Sequence, residues 1–410
     1  MITMPSIGDN LARLRRRAGF TQENLAERST VSVSVIRKLE RGDRDSASLP
    51  TLRKLATALD VTTVALFHPV PRFAPGNTDD RDDLYVMRRV LQPARALSGG
   101  GVVTLADDED APSSTDVWQS VREINGMFRD SDYAAGVAAL PTAITYARAA
   151  TSAAPEPHQA TAWEQLAQTY QTAAMILIQL RKDDLAYYAL GLAIDAAHQA
   201  GSDMLVASAV CSENWLLTRQ ARFNEAERAA LATAEAIEPS LTRSPQSDIA
   251  TWGWLNLGAA AAATRNNRMD VAMDSLRRAR AAAHVAVGYR SPHVTHWTTF
   301  SPAVVAMREV ELAMVTGDAG RALKAARSVP SSARPAITYQ RFRLDVAAAH
   351  IERRHHDEAL DVLLQLRATA AGWLRYQRYA HTLTSRLLRS RARAIPLELR
   401  DLADFLDVSD

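Results

Sequence analysis

The sequence predicts an all-α protein in which a five-helix bundle near the N-terminus precedes a long array of paired helices. Three observations lead to this prediction. Apolar residues recur at the three- and four-residue spacing of amphipathic helices. A short turn followed by an alanine returns six times after residue 116. The 410 residues, 47% of them hydrophobic, are too many for one small domain and enough to bury sizeable cores.

The predicted boundaries divide the chain into three segments. Residues 1–67 form the bundle, residues 68–115 a linker with one short helix, and residues 116–410 the array. Three prolines and a glycine between positions 68 and 80 indicate an irregular connection that could act as a hinge. The short helix is predicted at residues 81–92, where four apolar residues share one face.

Two short helices joined by a tight turn are predicted inside the bundle. Thr21 is suited to cap the first helix and Ser32 the second, since their hydroxyls can accept free backbone N–H groups. A turn at residues 29–31 separates the helices, and Gly42 ends the second one. The apolar residues that the second helix turns toward the core are Val35, Ile36 and Leu39.

The opposite face of the second helix is small at its start and basic behind. Its residues are Val33, Ser34, Arg37, Lys38 and Arg41. Such a face suits the end of a helix inserted into the major groove of DNA. Residues 1–60 hold 11 Lys/Arg and 7 Asp/Glu, an excess of four positive charges in a chain whose total is only +2. Positive charge is therefore concentrated where a phosphate backbone would lie.

Residues 6–67 resemble the phage-repressor class of helix-turn-helix proteins, often called the XRE family. The resemblance includes the two helices above and the flanking helices at 7–19 and 49–59. It implies that this segment is a helix-turn-helix DNA-binding domain whose partner is double-stranded operator DNA. The DNA-binding residues that it implies are Gln22, Ser32, Val33, Ser34, Arg37, Lys38, Arg41 and Arg44.

Within this set the resemblance implies separate roles. Gln22 contacts a phosphate, and Glu40 pairs with an arginine of the first helix, here Arg15. The residues expected to read base edges are Val33, Ser34 and Lys38. A bundle with a basic helix is also typical of a protein-docking module, in which the arginines at 15–17 form only a solvated face. The residues alone do not decide between a DNA-binding domain and a protein-docking module.

The array after residue 116 is predicted to be a right-handed, tetratricopeptide-like α-solenoid with a concave inner surface. Each unit has a turn rich in Asp, Asn and Arg, followed by a small residue that lets two helices approach closely. The alanines that mark the units are Ala134, Ala186, Ala226, Ala272, Ala322 and Ala359. They step by 37 to 52 residues, more than the 34 of an ideal tetratricopeptide repeat, so longer helices are expected.

Two segments of the array resemble actinobacterial helix-turn-helix regulators that carry tetratricopeptide-like C-terminal domains. They are residues 296–307 and residues 397–403. The layout is also similar to that of peptide-responsive quorum-sensing regulators of Gram-positive bacteria. These resemblances imply a transcriptional regulator that forms a homodimer and senses a small-molecule or peptide effector.

Aromatic and amide side chains cluster in the middle of the array and are the candidate effector site. They are Asn214, Trp215, Trp252, Asn256, His296, Trp297 and Phe300. Such a set supplies apolar walls and hydrogen bonds for a planar metabolite or an extended peptide. Residues 291–302 are expected to be a loop that can fold over the groove. Packing between helices is the alternative role for each tryptophan.

Other function classes find little support. Nucleophile-elbow, HExxH, phosphate-loop and dinucleotide motifs are missing, so no enzyme and no cofactor are expected. A metal site at His293 and His296 would lack further ligands nearby. A single cysteine, Cys211, and the lack of a long apolar run or export signal favour the cytoplasm and no membrane contact.

A competing function from another class is a DNA-tethered adaptor whose array docks a partner protein without a small ligand. Residues 371–400 contain seven arginines and one acid, which suits contact with DNA backbone, with an acidic linker or with a second subunit. A terminal helix with a solvated basic face is the simpler alternative. The sequence leaves these possibilities open, together with the choice between activator and repressor.

Overall fold

The computed structural model confirms the all-α fold class. It describes residues 7–43, 47, 49–59, 61, 66, 81–93, 113–286, 300–330, 336–390 and 395–408. Within those residues it contains nineteen α-helices and no β-strand. None of the described helices is long and apolar enough to span a membrane. The chain divides into two compact units, residues 1–86 and residues 87–410.

The first unit packs four helices around one small core. They are α1 (Ile7–Arg17), α2 (Gln22–Ser29), α3 (Val33–Glu40) and α4 (Leu49–Ala58). The core leucines and isoleucine that are fully buried are Leu11, Leu25, Ile36, Leu39, Leu55 and Leu66. The fifth predicted helix would follow α4, where the structure describes only Leu59, Val61 and Leu66.

The helices α1 and α3 approach each other so closely that only glycine fits at position 8. A Cβ atom on Gly8 would lie 1.8 Å from the carbonyl oxygen of Leu39. Side-chain amide Nδ2 of Asn10 donates to the carbonyl of Leu66, 3.4 Å away, and ties α1 to the chain after α4. The first helix is therefore fixed against the second helix of the predicted helix-turn-helix.

The short helix predicted in the linker is confirmed as α5 (Arg81–Leu91). In the second unit, the guanidinium of Arg148 donates to the carbonyl of Val90 at 2.6 Å and to the hydroxyl of Tyr170 at 2.5 Å. The predicted hinge at residues 68–80 lies outside the described residues.

The second unit consists of consecutive helix pairs, which confirms the predicted helical-repeat architecture. The pairs are α6 (Ser114–Arg129) with α7 (Tyr133–Ala153), α8 (Glu156–Gln179) with α9 (Asp183–Gln199), α10 (Asp203–Arg219) with α11 (Phe223–Ala236), α12 (Gln246–Arg265) with α13 (Met269–Val285), α14 (Pro302–Val315) with α15 (Ala319–Ala326), α16 (Ala336–Glu352) with α17 (His356–Leu374), and α18 (Arg378–Ser390) with α19 (Leu397–Phe405).

The first six pairs share one turn geometry. In each, a residue with φ between 58° and 77° ends the first helix, namely Ser131, Arg181, Ala221, Asn267, Gly317 and Arg354. Two hydrogen bonds accompany it: in the second pair, the N–H groups of Arg181 and Lys182 donate to the carbonyls of Ile178 and Leu177. This is the Schellman arrangement, which satisfies the last carbonyls of a helix.

Five residues after each left-handed position, a small residue faces the neighbouring helices. In the last five of these pairs it is a fully buried alanine at one of the predicted positions: Ala186, Ala226, Ala272, Ala322 and Ala359. In the first pair the predicted Ala134 is wrong, because it is exposed and Gly136 occupies the equivalent place. A Cβ on Gly136 would lie 2.6 Å from Cδ1 of Ile176. The register follows the left-handed residue and not the nearest alanine.

The first helices of the pairs form the inner layer of the array. Each packs on the first helix of the next pair, from α6 on α8 through to α16 on α18. The second helices of neighbouring pairs make few or no such contacts, except α17 with α19, among the residues that the structure describes. Side chains on the inner layer therefore converge, whereas those on the outer layer diverge.

Candidate nucleic-acid interface and repeat surface

The two helices that form the candidate DNA-binding motif are capped as the sequence predicts. Oγ1 of Thr21 accepts the N–H of Asn24 at 3.0 Å, and the Asn24 side chain accepts the N–H of Thr21 at 3.2 Å. Oγ of Ser32 accepts the N–H of Val35 at 3.4 Å. Between the helices Thr30 adopts φ 54°. These caps fix the directions in which α2 and α3 leave the turn.

An ion pair beneath the motif confirms the predicted partner of Glu40. Nε and Nη2 of Arg15 donate to the two carboxylate oxygens of Glu40 at 2.7 and 2.8 Å, and Nη1 donates to the carbonyl of Phe20 at 2.8 Å. Burial raises the pKa of Glu40, but hydrogen bonds from Arg15 and Gln22 outweigh it, so the pKa lies below its ordinary value. The pair fastens α3 to α1.

Gln22 and Arg37, two predicted DNA contacts, extend this network to the surface. Nε2 of Gln22 donates to Oε2 of Glu40 at 2.7 Å, and Oε1 of Gln22 accepts Nε of Arg37 at 3.3 Å. Nη2 of Arg37 donates to Oε1 of Glu23 at 2.6 Å. Any phosphate that binds Arg37 must compete with Glu23. Gln22 is already held in place at the N-terminus of α2.

The remaining predicted contacts occupy the outward face of α3. Those that are exposed are Ser32, Ser34, Lys38 and Arg41, while Val33 is half-buried. Nη1 of Arg41 lies 4.0 Å from Oδ2 of Asp43. Arg44 lies outside the described residues. The face thus combines hydroxyl groups near the start of α3 with cations further along, and its reverse side is buried in the core.

One basic surface was not among the predicted contacts. Arg28 lies over the ring of Phe20, 4.6 Å from its centroid, and with Thr30 and Lys54 it lines a shallow depression beside α4. These cations contribute to the charge excess of residues 1–60. The charge count signalled the surface, but it could not place the individual side chains.

Comparison with known proteins agrees with this geometry. Residues 11–66 match the helix-turn-helix family. An uncharacterized HTH-type transcriptional regulator, y4dJ of Sinorhizobium fredii, is 46% identical over 63 residues, which are 15% of this chain and 80% of that protein. The chain belongs to the helix-turn-helix family of transcriptional regulators. The resemblance inferred from the first 67 residues is confirmed.

A solved structure is also similar to this regulator over a longer stretch. It is the crystal structure of Bacillus thuringiensis PlcR in complex with the peptide PapR7 and DNA. The aligned region covers 78% of this chain and 94% of the PlcR chain. Sequence identity is 11% and the TM-score 0.30.

The structure places four of the seven predicted effector residues in the packing of the regulator's repeats. Phe300 is 1% exposed and its ring meets that of Trp254 edge-on, with centroids 5.6 Å apart. A Cβ on Gly253 would lie 2.3 Å from the Phe300 ring, so glycine makes room for it. Trp252, also buried, belongs to the same core cluster.

The two asparagines are buried as well. Nδ2 of Asn214 donates to the carbonyl of Ala226 at 2.7 Å and so links α10 to α11. Nδ2 of Asn256 donates to the carbonyl of Trp252 at 2.9 Å, while Oδ1 of Asn256 has no hydrogen-bond partner among the described residues. Packing between α10 and α11 explains why Asn214 is buried. An effector role for Asn214 or Asn256 stays a prediction.

Of the remaining three predicted effector residues, the structure describes only Trp215. His296 and Trp297 lie outside the described residues, as does most of the predicted covering loop. Trp215 is half-buried on α10, and the guanidinium of Arg219 lies 5.5 Å from its ring centroid.

Arg219 belongs to a set of charged residues on the inner layer that the sequence did not reveal. Its other members are Arg265, Arg308, Glu311, Arg341 and Asp345. Arginines within helices look like solvated surface when only the sequence is read. Nothing local in the chain indicates that four consecutive pairs bring such residues together.

Proposed function

We propose that this protein binds operator DNA as a homodimer through the outward face of α3, and that its repeat unit senses a small-molecule or peptide effector. The observation that carries the DNA-binding part is the network from Arg15 through Glu40 and Gln22 to Arg37. It holds α1, α2 and α3 together behind an exposed face of hydroxyls and cations. Preset side chains lose little conformational entropy when they bind.

Roles for single residues follow from their places on this face. Gln22, at the first turn of α2, lies where its amide and the helix N-terminus can meet a phosphate. Ser34 and Lys38 point outward from α3 toward base edges, and Val33 offers an apolar contact to a thymine methyl group. Ser32, Arg37 and Arg41 complete the proposed surface, and Arg44, which lies outside the described residues, is proposed as a further DNA contact.

A second copy of the chain is needed because one such helix makes few base contacts. Two copies on a two-fold operator would place their half-sites about 34 Å apart, or a multiple of that distance. An effector alters DNA affinity only if it favours one separation of the two α3 helices over another, typically by about 1–3 kcal/mol. The proposed place of action is the cytoplasm, where a bacterial regulator meets its operator DNA.

Gel-shift titrations at fixed salt test the DNA-binding proposal. Lys38→Ala is expected to weaken binding and relax the preference at one base pair, by about 1–3 kcal/mol. Gln22→Ala is expected to weaken binding to all sequences alike, since it removes a phosphate contact. Arg228→Gln, on the exposed side of α11, serves as the control. Unchanged affinity in both Gln22 and Lys38 variants would contradict the proposal.

A further inference from the structure

The inner layer of the repeat unit carries an unusual concentration of charge. Four arginines and two carboxylates lie on four successive first helices: Arg219 on α10, Arg265 on α12, Arg308 and Glu311 on α14, and Arg341 and Asp345 on α16. The set has twice as many cations as anions.

One half of the set is internally neutralised. Oε1 of Glu311 accepts Nη2 of Arg265 at 2.6 Å, and Oε2 of Glu311 accepts Nη1 of Arg308. All three side chains are largely buried, with exposures of 12 to 23%. Burial raises the pKa of Glu311, but the charges of Arg308 and Arg265 more than reverse this and hold it well below its ordinary value. Glu311 is thus ionised and engaged on both oxygens.

In the other half, which consists of Arg219, Arg341 and Asp345, hydrogen-bonding groups are left without partners among the described residues. Nε of Arg341 lies 3.9 Å from Oδ2 of Asp345, beyond hydrogen-bond distance, and that buried oxygen has no hydrogen-bond partner in the described part of the chain. The guanidinium groups of Arg219 and Arg341 donate no hydrogen bond to any described residue. Each instead lies over an aromatic ring: Arg219 over Trp215 at 5.5 Å, and Arg341 over Tyr379 at 4.9 Å.

The surroundings of the two arginines act on their positive charge in opposite directions. Burial, followed by the charge of Arg181, lowers the pKa of Arg219 to about 10, and the charge of Arg341 acts in the same direction. Desolvation is the largest single influence on Arg341 as well, but the charges of Asp345 and Glu311 outweigh it and raise the Arg341 pKa, and 43% of the Arg341 side-chain surface is accessible. Both side chains are partly exposed, so a solute can reach them.

A partly desolvated guanidinium whose N–H groups donate no hydrogen bond is costly, and an anion that accepts those hydrogen bonds would reduce that cost. The planar fork of a guanidinium matches the two oxygens of a carboxylate or phosphate, and the ring beneath it keeps the fork oriented. We propose that Arg219 and Arg341 bind an anionic group, a carboxylate or a phosphate, on the effector of the repeat unit. This inference rests on the proposed sensing function and specifies the chemistry of its ligand.

Thermal unfolding of the full chain with two simple anions tests the inference. The probes are inorganic phosphate and succinate, each titrated at constant ionic strength against sodium chloride. At least one is expected to raise the melting temperature saturably, and Arg219→Gln and Arg341→Gln are each expected to weaken that response at least tenfold. The matched control is Arg228→Gln, because Arg228 is exposed on an outer helix. The stronger probe identifies the class of anion.

Two outcomes would overturn the site. One is an equal response in the wild type and in both variants, which means general salt stabilisation. The other is a lower melting temperature for Arg219→Gln without added anion, since that identifies a structural arginine. Removing the repulsion between Arg219 and the charges of Arg181 and Arg341 predicts an unchanged or higher melting temperature instead. Arg341→Lys, which keeps the charge and loses the fork, is expected to bind with intermediate affinity.

DNA binding is measured in parallel by gel shift without added phosphate or succinate, so the two proposals can fail separately. Loss of DNA binding in the wild-type chain, with anion binding intact, contradicts the regulatory function alone. Normal DNA binding without any anion response overturns the anion site alone.

Discussion

The two units of the protein each contain an arginine–carboxylate group, and the two groups differ in how completely their hydrogen bonds are made. In the first unit both oxygens of Glu40 accept hydrogen bonds, from Arg15 and Gln22. In the repeat unit Oδ2 of Asp345 accepts none among the described residues, and Arg341 beside it donates none. A closed network fixes geometry, whereas an open one keeps hydrogen-bonding capacity for a ligand.

The units can be followed separately in the intact chain. All seven tryptophans lie beyond residue 113, within the repeat unit. Tryptophan emission therefore reports on the repeats, while far-ultraviolet circular dichroism reports on both units. A substitution that shifts part of the circular dichroism transition and leaves the tryptophan transition unchanged has therefore acted on the first unit.

The largest effect is expected when the closed network is broken. Arg15→Ala leaves Glu40 largely buried without its charge partner, which costs about 3 kcal/mol at the low end of the range for such pairs. Denaturant unfolding should show earlier loss of part of the helical signal, with tryptophan emission unchanged. Arg16→Ala, at the exposed neighbouring position, is the control and should differ little from wild type.

A somewhat smaller effect is expected where backbones meet. In Gly8→Ala the new methyl group would meet the carbonyl of Leu39, a backbone atom that cannot move aside, at a cost of about 2 kcal/mol. Gly126→Ala in α6 is the matched control, because its Cβ would have only one ordinary contact, 3.8 Å from Arg129. That change should stabilise the chain, since alanine favours helix. Equal effects of the two substitutions would contradict the close approach of α1 and α3.

These particular residues show what the sequence can and cannot predict. The caps at Thr21 and Ser32 and the pairing of Arg15 with Glu40 were predictable, because caps are local and the pair belongs to a motif with fixed spacing. The first repeat was misplaced by two positions, because a left-handed turn residue can be of almost any type.

The inner-layer charges could not be predicted for a different reason. Arg265 and Glu311 are 46 positions apart and meet only because two first helices pack together. The aromatic and amide residues of the middle repeats were expected to form an effector site, yet Phe300 and Trp252 fill space between helices. Composition identifies such a cluster but does not distinguish a wall of a cavity from a core.

Acid is expected to affect the two carboxylates in opposite ways. The folded-state pKa of Glu40 is depressed, so its stabilising contribution is present above the ordinary value of 4.5 and is lost as the pH falls through the lower folded value. Desolvation raises the pKa of Asp345 to about 6, although Arg341 opposes this. Protonating Asp345 therefore stabilises the repeat unit as the pH falls through 6, and that gain disappears as the pH rises again.

Unfolding between pH 7 and pH 5, followed by tryptophan emission, measures the second effect. The wild type should gain stability relative to Asp345→Asn on the order of 1 kcal/mol, the scale of one pKa unit. The charged groups that face Asp345 are Arg341, Glu311, Arg265 and Arg308. A gain that persists in Asp345→Asn would assign the titration to another group.

The smallest effects are expected from glycine substitutions at a left-handed turn in each of the two units. Thr30 in the first unit and Ala221 in the second both adopt positive φ, at 54° and 60°. That conformation costs about 1–2 kcal/mol for a residue with a Cβ. Glycine avoids this cost, but its greater conformational freedom in the unfolded state offsets part of the gain in stability. Thr30→Gly should stabilise the first unit by about 1 kcal/mol and Ala221→Gly the second by less, because Thr30 is β-branched. Ala232→Gly, inside α11, is the control and should destabilise by about 1 kcal/mol. If Ala221→Gly behaved like Ala232→Gly, the turn at Ala221 would carry no strain, and the shared geometry of the six turns would rest on their hydrogen bonds alone.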